Sequence, residues 1–374
     1  MRVYILIVGV VAAIVLSCGP AEKSDGSAET ASTAEEAPAI ETLRAPTAAQ
    51  DILWEEWSPA GVDAAKMDWP AGAVWTSGKL YLMGTRKLAG AADGPRDRAE
   101  VVVVEILAGG TREVATYPSR FAERAHAAVA AGPDGRVWFL GGMYTPPPMG
   151  LAPEGRLDFA ELETPVGEVY TWRPGAKELE LEAYLPVPRG DAAAFFSGKD
   201  LFVIGGTFDP ADPVAEFNHQ MHSFSPAEGV WKKYHELPVP LASPAATVAA
   251  GGIYVIGGKQ LKPAHVTNAV YRYDLTYYKW QKVPTLPAPR AGAAAYTVGD
   301  YIYVVGGCEA EALGTAGRMG LKTYRYDLQA KKWEELATPL PEGCAYSAYD
   351  GTNFYLIGAG KTYRGRIVKA KAGT

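Results

Sequence analysis

The 374-residue sequence predicts an all-β protein, a β-propeller of six blades closed into a single ring. Three observations predict it. A short apolar strand ending in glycine recurs six times along the chain. An aromatic residue followed seven positions later by Trp recurs behind it. The outer strand that the last repeat lacks stands at the start of the chain. Composition allows the core such a ring needs, with 48% hydrophobic and 21% charged residues. Three Cys exclude a disulfide scaffold, and a formal charge of −6 argues against nucleic acid held on a broad basic surface.

At the N-terminus, Arg2 precedes an apolar run from Val3 to Leu16, too short to span a bilayer with ease, which closes on small residues. This is the pattern of a secretory signal over 1–17. Val15-Leu16-Ser17-Cys18 resembles the lipobox of bacterial lipoproteins, although Leu16 is larger than the residue usual there. That resemblance implies a lipidated Cys18, membrane attachment through the lipid alone, and a place in the bacterial cell envelope. Gly19 behind the cysteine implies the outer membrane. The segment 18–50 holds no aromatic residue, and Ile40 and Leu43 are its only large aliphatics beside many Ala, Ser, Thr, Glu and Pro. It cannot bury enough surface to offset its ordering entropy and is expected to be a disordered acidic tether.

From 51 to 374 the repeats take over. Strong copies are Val137-Trp138-Phe139-Leu140-Gly141-Gly142, Leu201 to Gly206, Ile253 to Gly258 and Ile302 to Gly307. Weaker copies are Leu80 to Gly84 and Phe354 to Gly360. The first glycines are separated by 57, 64, 52, 49 and 52 residues, a period suited to four strands per unit. The second mark pairs Phe224 with Trp231, Tyr273 with Trp280 and Tyr326 with Trp333. Blade two keeps the register as Trp172 and Leu179. Asp274 and Asp327 follow the aromatic residue, as suits an Asp-initiated turn. A third mark, Pro188-Arg189 and Pro289-Arg290, precedes Ala-rich stretches small enough for the crowded centre of a ring.

Together these marks resemble the kelch repeat, most strongly over 186–360. No Trp-Asp dipeptide occurs, which argues against the WD40 alternative. The last repeat has inner strands and a third strand expected over 364–371, with no Trp strand after it. Trp54-Glu55-Glu56-Trp57 parallels Trp333-Glu334-Glu335-Leu336, so the N-terminal strand is expected to complete the last blade and leave no open edge. Cys308 and Cys344 lie one blade apart. Exported, they can pair or stand as separate thiols, and spacing alone does not decide between these.

In an antiparallel blade the first strand starts on the face where the second ends. The Pro-Arg position and the loop behind the glycine pair therefore share one face. Across the blades that position reads Asp68, Arg124, Arg189, Leu241, Arg290 and Glu342. Arg124, Arg189 and Arg290 are candidates for forked contacts to an acidic group, with Tyr144, Phe208, Lys259 and Asn268 beside them. The same Arg are also placed to bridge neighbouring blades. The expected role is a binding module for an envelope protein segment or a carbohydrate, with no cofactor and no metal.

The alternative is enzymatic. The exported six-bladed kelch epimerases acting on sialic acid imply an acid–base pair, Glu216 and His219, with Arg189 clamping the sugar carboxylate. Copper oxidation of the galactose-oxidase type is rejected. His219 and His222 are three apart in an expected strand and point to opposite faces.

Overall fold

The computed structural model describes residues 50–61, 67, 69–87, 99–118, 126–144, 164–207, 219–261, 264–309, 318–319, 321–341 and 346–369. Among them every regular element is a strand, and six antiparallel sheets each rest on four strands. Blade 1 runs Trp69–Thr76, Lys79–Lys87, Ala99–Leu107 and Gly110–Pro118. Blade 2 runs Ala128–Ala131, Val137–Leu140, Glu168–Trp172 and Glu180–Tyr184. Blade 3 runs Ala193–Ser197, Asp200–Ile204, Met221–Ser225 and Val230–Lys233. Blade 4 runs Ala245–Ala249, Gly252–Ile256, Val270–Asp274 and Lys279–Val283. Blade 5 runs Ala291–Val298, Tyr301–Glu309, Tyr324–Asp327 and Lys332–Glu335, with Arg318–Met319 added to its second strand.

Blade 6 is assembled from both ends of the described chain. Tyr346–Tyr349, Asn353–Ile357 and Thr362–Lys369 are followed in space by Gln50–Ser58. The third strand begins two residues earlier than its sequence suggests. Gln50 pairs with Lys369 and Trp54 with Gly365, so the closing strand is the expected one. Side chains lock it in place. The Thr338 amide and hydroxyl both donate to Asp51, and Arg325 Nη1 donates to Gln50 Oε1 at 3.0 Å. Trp57 meets the edge of Tyr355, which stacks on Trp75 of blade 1 at 5.0 Å.

The motifs have mechanical reasons. The aromatic residue and the Trp seven positions later sit directly opposite each other across a hairpin: Phe224 and Trp231, Tyr273 and Trp280, Tyr326 and Trp333. Their rings lie 4.9 to 5.0 Å apart. Two of these Trp also reach the preceding blade: Trp280 Nε1 donates to the His235 carbonyl and Trp333 Nε1 to the Pro284 carbonyl. The second strands are buried almost throughout, as in Val137–Leu140 and Gly252–Ile256, whereas the fourth strands of blades 2 and 3 are largely exposed.

The glycine pairs join blade to blade. Gly142, Gly206 and Gly258 donate their amides to the carbonyls of Arg189, Leu241 and Arg290 in the next blade, at 2.7 to 2.9 Å. The first glycine of each pair has positive φ, and a Cβ on Gly257 would come within 2.2 Å of the Arg290 carbonyl oxygen. Only glycine allows that approach.

Cys308 is disulfide-bonded. The chain's other cysteines, Cys18 and Cys344, lie outside the described residues.

Candidate functional site: the mouth of the central channel

The six first strands stand side by side around the ring's centre and line a cavity of about 890 Å³. Its wall is largely alanine methyl groups and backbone, including Ala73, Ala128, Ala130, Ala194, Ala246 and Ala294. Small residues are what let six inner strands converge, and they leave the centre open rather than filled.

At the start of these strands a polar rim forms. His126, Asp191, Ser243 and Gly292 occupy equivalent positions in blades 2 to 5, with φ of 59°, 52°, 49° and 67°. Their backbones form a chain around the mouth. Asp191 N donates to the His126 carbonyl, Ser243 N to that of Asp191, and Gly292 N to that of Ser243, at 2.7 to 2.9 Å. Side chains follow the same path. Asp191 Oδ1 accepts from Ser243 Oγ at 3.0 Å and faces His126 Nδ1 at 3.1 Å.

The left-handed backbone is cheap for Gly and costs roughly 1 kcal/mol or more for other residues. Gly292 shows that glycine satisfies this position. Blades 2, 3 and 4 carry His, Asp and Ser there instead. Burial opposes the Asp191 charge, yet His126, Lys259 and Ser243 together hold its carboxyl below the usual range, so it is ionised at neutral pH. This is not a catalytic triad. The carboxylate, and not the imidazole, stands between the other two groups, so the histidine has no contact with the serine through which to take its proton.

The sequence candidates are placed differently from one another. Arg189 and Arg290 are each 1% exposed. Arg189 donates to the carbonyls of Val187, Gly205 and Gln220, and burial brings its guanidinium down to about 10. Arg290 donates to the carbonyls of Gly306 and Lys322 and lies over the Tyr324 ring. Both therefore clamp the glycine pair of their own blade, and the forked ligand contacts expected of them are corrected to main-chain contacts. The repeated Arg and the repeated Gly-Gly are two halves of one joint.

Asn268 is also spent on the backbone, its Nδ2 donating to the Leu286 carbonyl at 3.1 Å. Lys259 is half-buried on a hairpin, Lys259–Leu261 with Ala264–Val266, and its charge reaches Asp191. Tyr144 pairs with Thr164 in a similar short ladder, Met143–Tyr144 with Thr164–Pro165, its side chain outside the described residues. Arg124, Phe208, Glu216 and Cys18 lie outside them altogether.

The histidine that meets Arg189 is His222, at 3.5 Å, rather than His219. His219 precedes the strand beginning at Met221, so the two histidines do not share a strand as expected. Burial, aided by Arg189 and Lys233, lowers His222 to about 4. Among the described residues no three His, Cys, Asp or Glu side chains are grouped to hold a metal ion.

Sequence reasoning missed the rim, yet its signal was present. Each rim residue lies two positions after the Arg position of its blade: His126 after Arg124, Asp191 after Arg189, Ser243 after Leu241 and Gly292 after Arg290.

Comparison with known proteins agrees with this architecture. The chain is similar in fold to a solved structure titled "Structure of YjhT", at 17% identity and a TM-score of 0.58, over 82% of this chain and 97% of that one. It is 31% identical over 86 residues to Kelch-like protein terF of Aspergillus terreus, which covers 23% of this chain. The chain spans only 18% of that relative's length. The KLHDC2/KLHL20/DRC7 Kelch-repeats domain matches residues 168–364, more than half of the sequence. A kelch propeller is in general a protein-binding module, and this chain belongs to the kelch-repeat family.

Proposed function

We propose that this chain is a binding module that takes a protein segment at the mouth of its central channel. The observation that carries this reading is the rim. Three equivalent positions hold His126, Asp191 and Ser243 in a backbone conformation for which Gly292 is the unstrained solution. Strain retained at the opening of a cavity is best accounted for by what those side chains do there. The rigid ring supplies the frame, and Lys259 stands near enough to the rim for its charge to reach Asp191. Binding is non-covalent and uses no cofactor. Recognition rests on the rim rather than on Arg189 and Arg290.

The N-terminal pattern supports a placement in the bacterial envelope, on the outer membrane, with Cys18 lipidated after removal of 1–17. Metabolic labelling with an alkyne fatty acid should mark the wild-type chain and leave Cys18→Ser unmarked. Equal labelling overturns the anchor.

For the binding reading, the triple substitution His126→Gly, Asp191→Gly and Ser243→Gly keeps the backbone conformation and removes all three side chains. Cross-linked recovery of an envelope protein should fall at least about tenfold with the triple variant at unchanged folding. Recovery unaffected by the triple variant overturns the site. A carbohydrate retained by wild type and lost by the triple variant would keep the site and change the ligand class.

A further inference from the structure

The charge inventory of the channel narrows the ligand beyond a protein segment. Among the described residues that line the cavity there is no Lys, no Arg and no Glu, and Asp191 is the one carboxylate. Among the same described residues His126 is the one basic side chain. Behind the rim the lining is mainly methyl groups and backbone, with the hydroxyl side chains Thr247, Thr297, Ser347 and Tyr346 among them and Trp75, Phe196, Tyr296 and Tyr349 toward the far ends of the inner strands. A carboxylate in such surroundings is screened less than one on the surface and selects strongly for the opposite charge.

Geometry adds a direction. The two hydrogen-bond partners of the Asp191 carboxylate among the described residues, His126 and Ser243, use Oδ1, while the Tyr346 phenol also lies within reach of its charge. Among the described residues Oδ2 accepts no hydrogen bond. The side chain keeps about a fifth of its surface exposed, 21%, and that surface belongs to the cavity wall. Lys259 is near enough to favour the charge, yet forms no ion pair with the carboxylate within 4 Å. The mouth is therefore a fixed anion with one oxygen engaged and one open, above a channel lined largely by alanine. The buried Arg189 and Arg290 guanidiniums, committed to carbonyls, leave no described anion clamp on this wall.

We propose that the mouth binds a primary ammonium group on a slender stem, seated on Asp191 Oδ2 with the stem directed along the alanine-lined channel. This rests on the reading that the mouth is the recognition surface. Two sources carry that chemistry, the free N-terminus of a protein segment and a lysine side chain. An ammonium has three donors, so it can satisfy the open carboxylate oxygen and still reach neighbouring groups on the rim. A charge-assisted contact of this kind is stronger than a neutral hydrogen bond.

The test is a titration of the full chain with n-butylammonium chloride, against n-butanol as the neutral probe of equal shape, followed by calorimetry and thermal shift. The ammonium should bind at least about tenfold more tightly than the alcohol, and Asp191→Asn should erase that preference. Asn accommodates positive φ as well as Asp does and keeps an acceptor for Ser243, so this variant should stay folded.

Tetra-alanine with a free or an acetylated N-terminus, beside Nα-acetyl-lysine amide, distinguishes the two sources. Equal binding of n-butylammonium and n-butanol by the folded wild-type chain overturns the inference, as does an undiminished ammonium preference in Asp191→Asn. A segment that binds identically with free and acetylated N-terminus, and identically in Asp191→Asn, overturns the ammonium proposal. It leaves the broader protein-binding reading standing. Loss of mouth binding in neither the Asn variant nor the triple glycine variant would overturn both.

Discussion

At the level of single residues, the buried histidine of blade 3 makes the fold sensitive to acid. His222 is 5% exposed and stands against the Arg189 guanidinium, and its folded value near 4 lies below the ordinary 6.5. The unfolded chain takes up a proton from about pH 6.5 downward while the folded chain refuses it until about pH 4. Stability is therefore full above 6.5, falls across that window and levels off below it. The loss is on the order of 3 kcal/mol for a shift of this size. His222→Gln should flatten the dependence, measured as denaturant midpoints at pH 7 and pH 4.5. An equally steep loss in the variant would place the acid sensitivity elsewhere. The rim makes the opposite case under the proposed function, in which its side chains serve the mouth rather than the fold. Ser243→Gly reproduces what blade 5 already does with Gly292, so its stability should stay within about 1 kcal/mol of wild type. A much larger loss would mean that the hydroxyl on Asp191 supports the ring itself.

Between blades the unit of construction is the joint formed by a glycine pair and the Arg position of the next blade. Two glycines separate its components. Gly257 and Gly198 both have φ of 62°, but a Cβ on Gly257 meets the Arg290 carbonyl oxygen at 2.2 Å, whereas one on Gly198 meets nothing within 4 Å. Gly198→Ala should cost only the backbone strain, about 1 kcal/mol. Gly257→Ala adds a clash with main chain and the loss of the Gly258 amide bond to Arg290, and should cost more than about 3 kcal/mol. Equal denaturant midpoints for the two variants would show that the joint does not hold the blades. This joint also explains what sequence reasoning could and could not read. Gly-Gly, Arg and the aromatic–Trp spacing were legible because each serves a repeated contact, and repetition is visible in one dimension. Whether Arg189 faces a ligand or its own blade depends on where the Gly205 and Gln220 carbonyls point, which only the fold decides. The rim was missed for the opposite reason: His126, Asp191, Ser243 and Gly292 share a backbone state and no side-chain chemistry, so no repeated letter marks them.

For the whole ring, closure is the decisive feature, and it was legible because Trp54 to Trp57 copies a strand that belongs three hundred residues later in the pattern, at about the spacing of the last blade. A propeller distributes its core between neighbouring blades, so a blade with a missing strand weakens both its neighbours. Gln50–Ser58 ties blade 6 to blade 5 through Asp51 with Thr338 and Gln50 with Arg325, and to blade 1 through Trp57, Tyr355 and Trp75. Asp51→Ala removes the acceptor of both the Thr338 amide and the Thr338 hydroxyl and should lower stability by about 2 kcal/mol, with the ring still closed by the ladder between Gln50–Ser58 and Thr362–Lys369. Deleting 50–58 goes further. It strips the outer edge from blade 6 and exposes the strand Thr362–Lys369 as an unpaired template for another chain. The deleted protein should lose its single cooperative melting transition and self-associate on size exclusion. A synthetic peptide of sequence 50–58, added in excess, should compete for that edge and restore the wild-type elution. A deletion that melts and elutes like wild type would show that the six blades hold together without the N-terminal strand, and that its pairing with blade 6 is incidental to the ring.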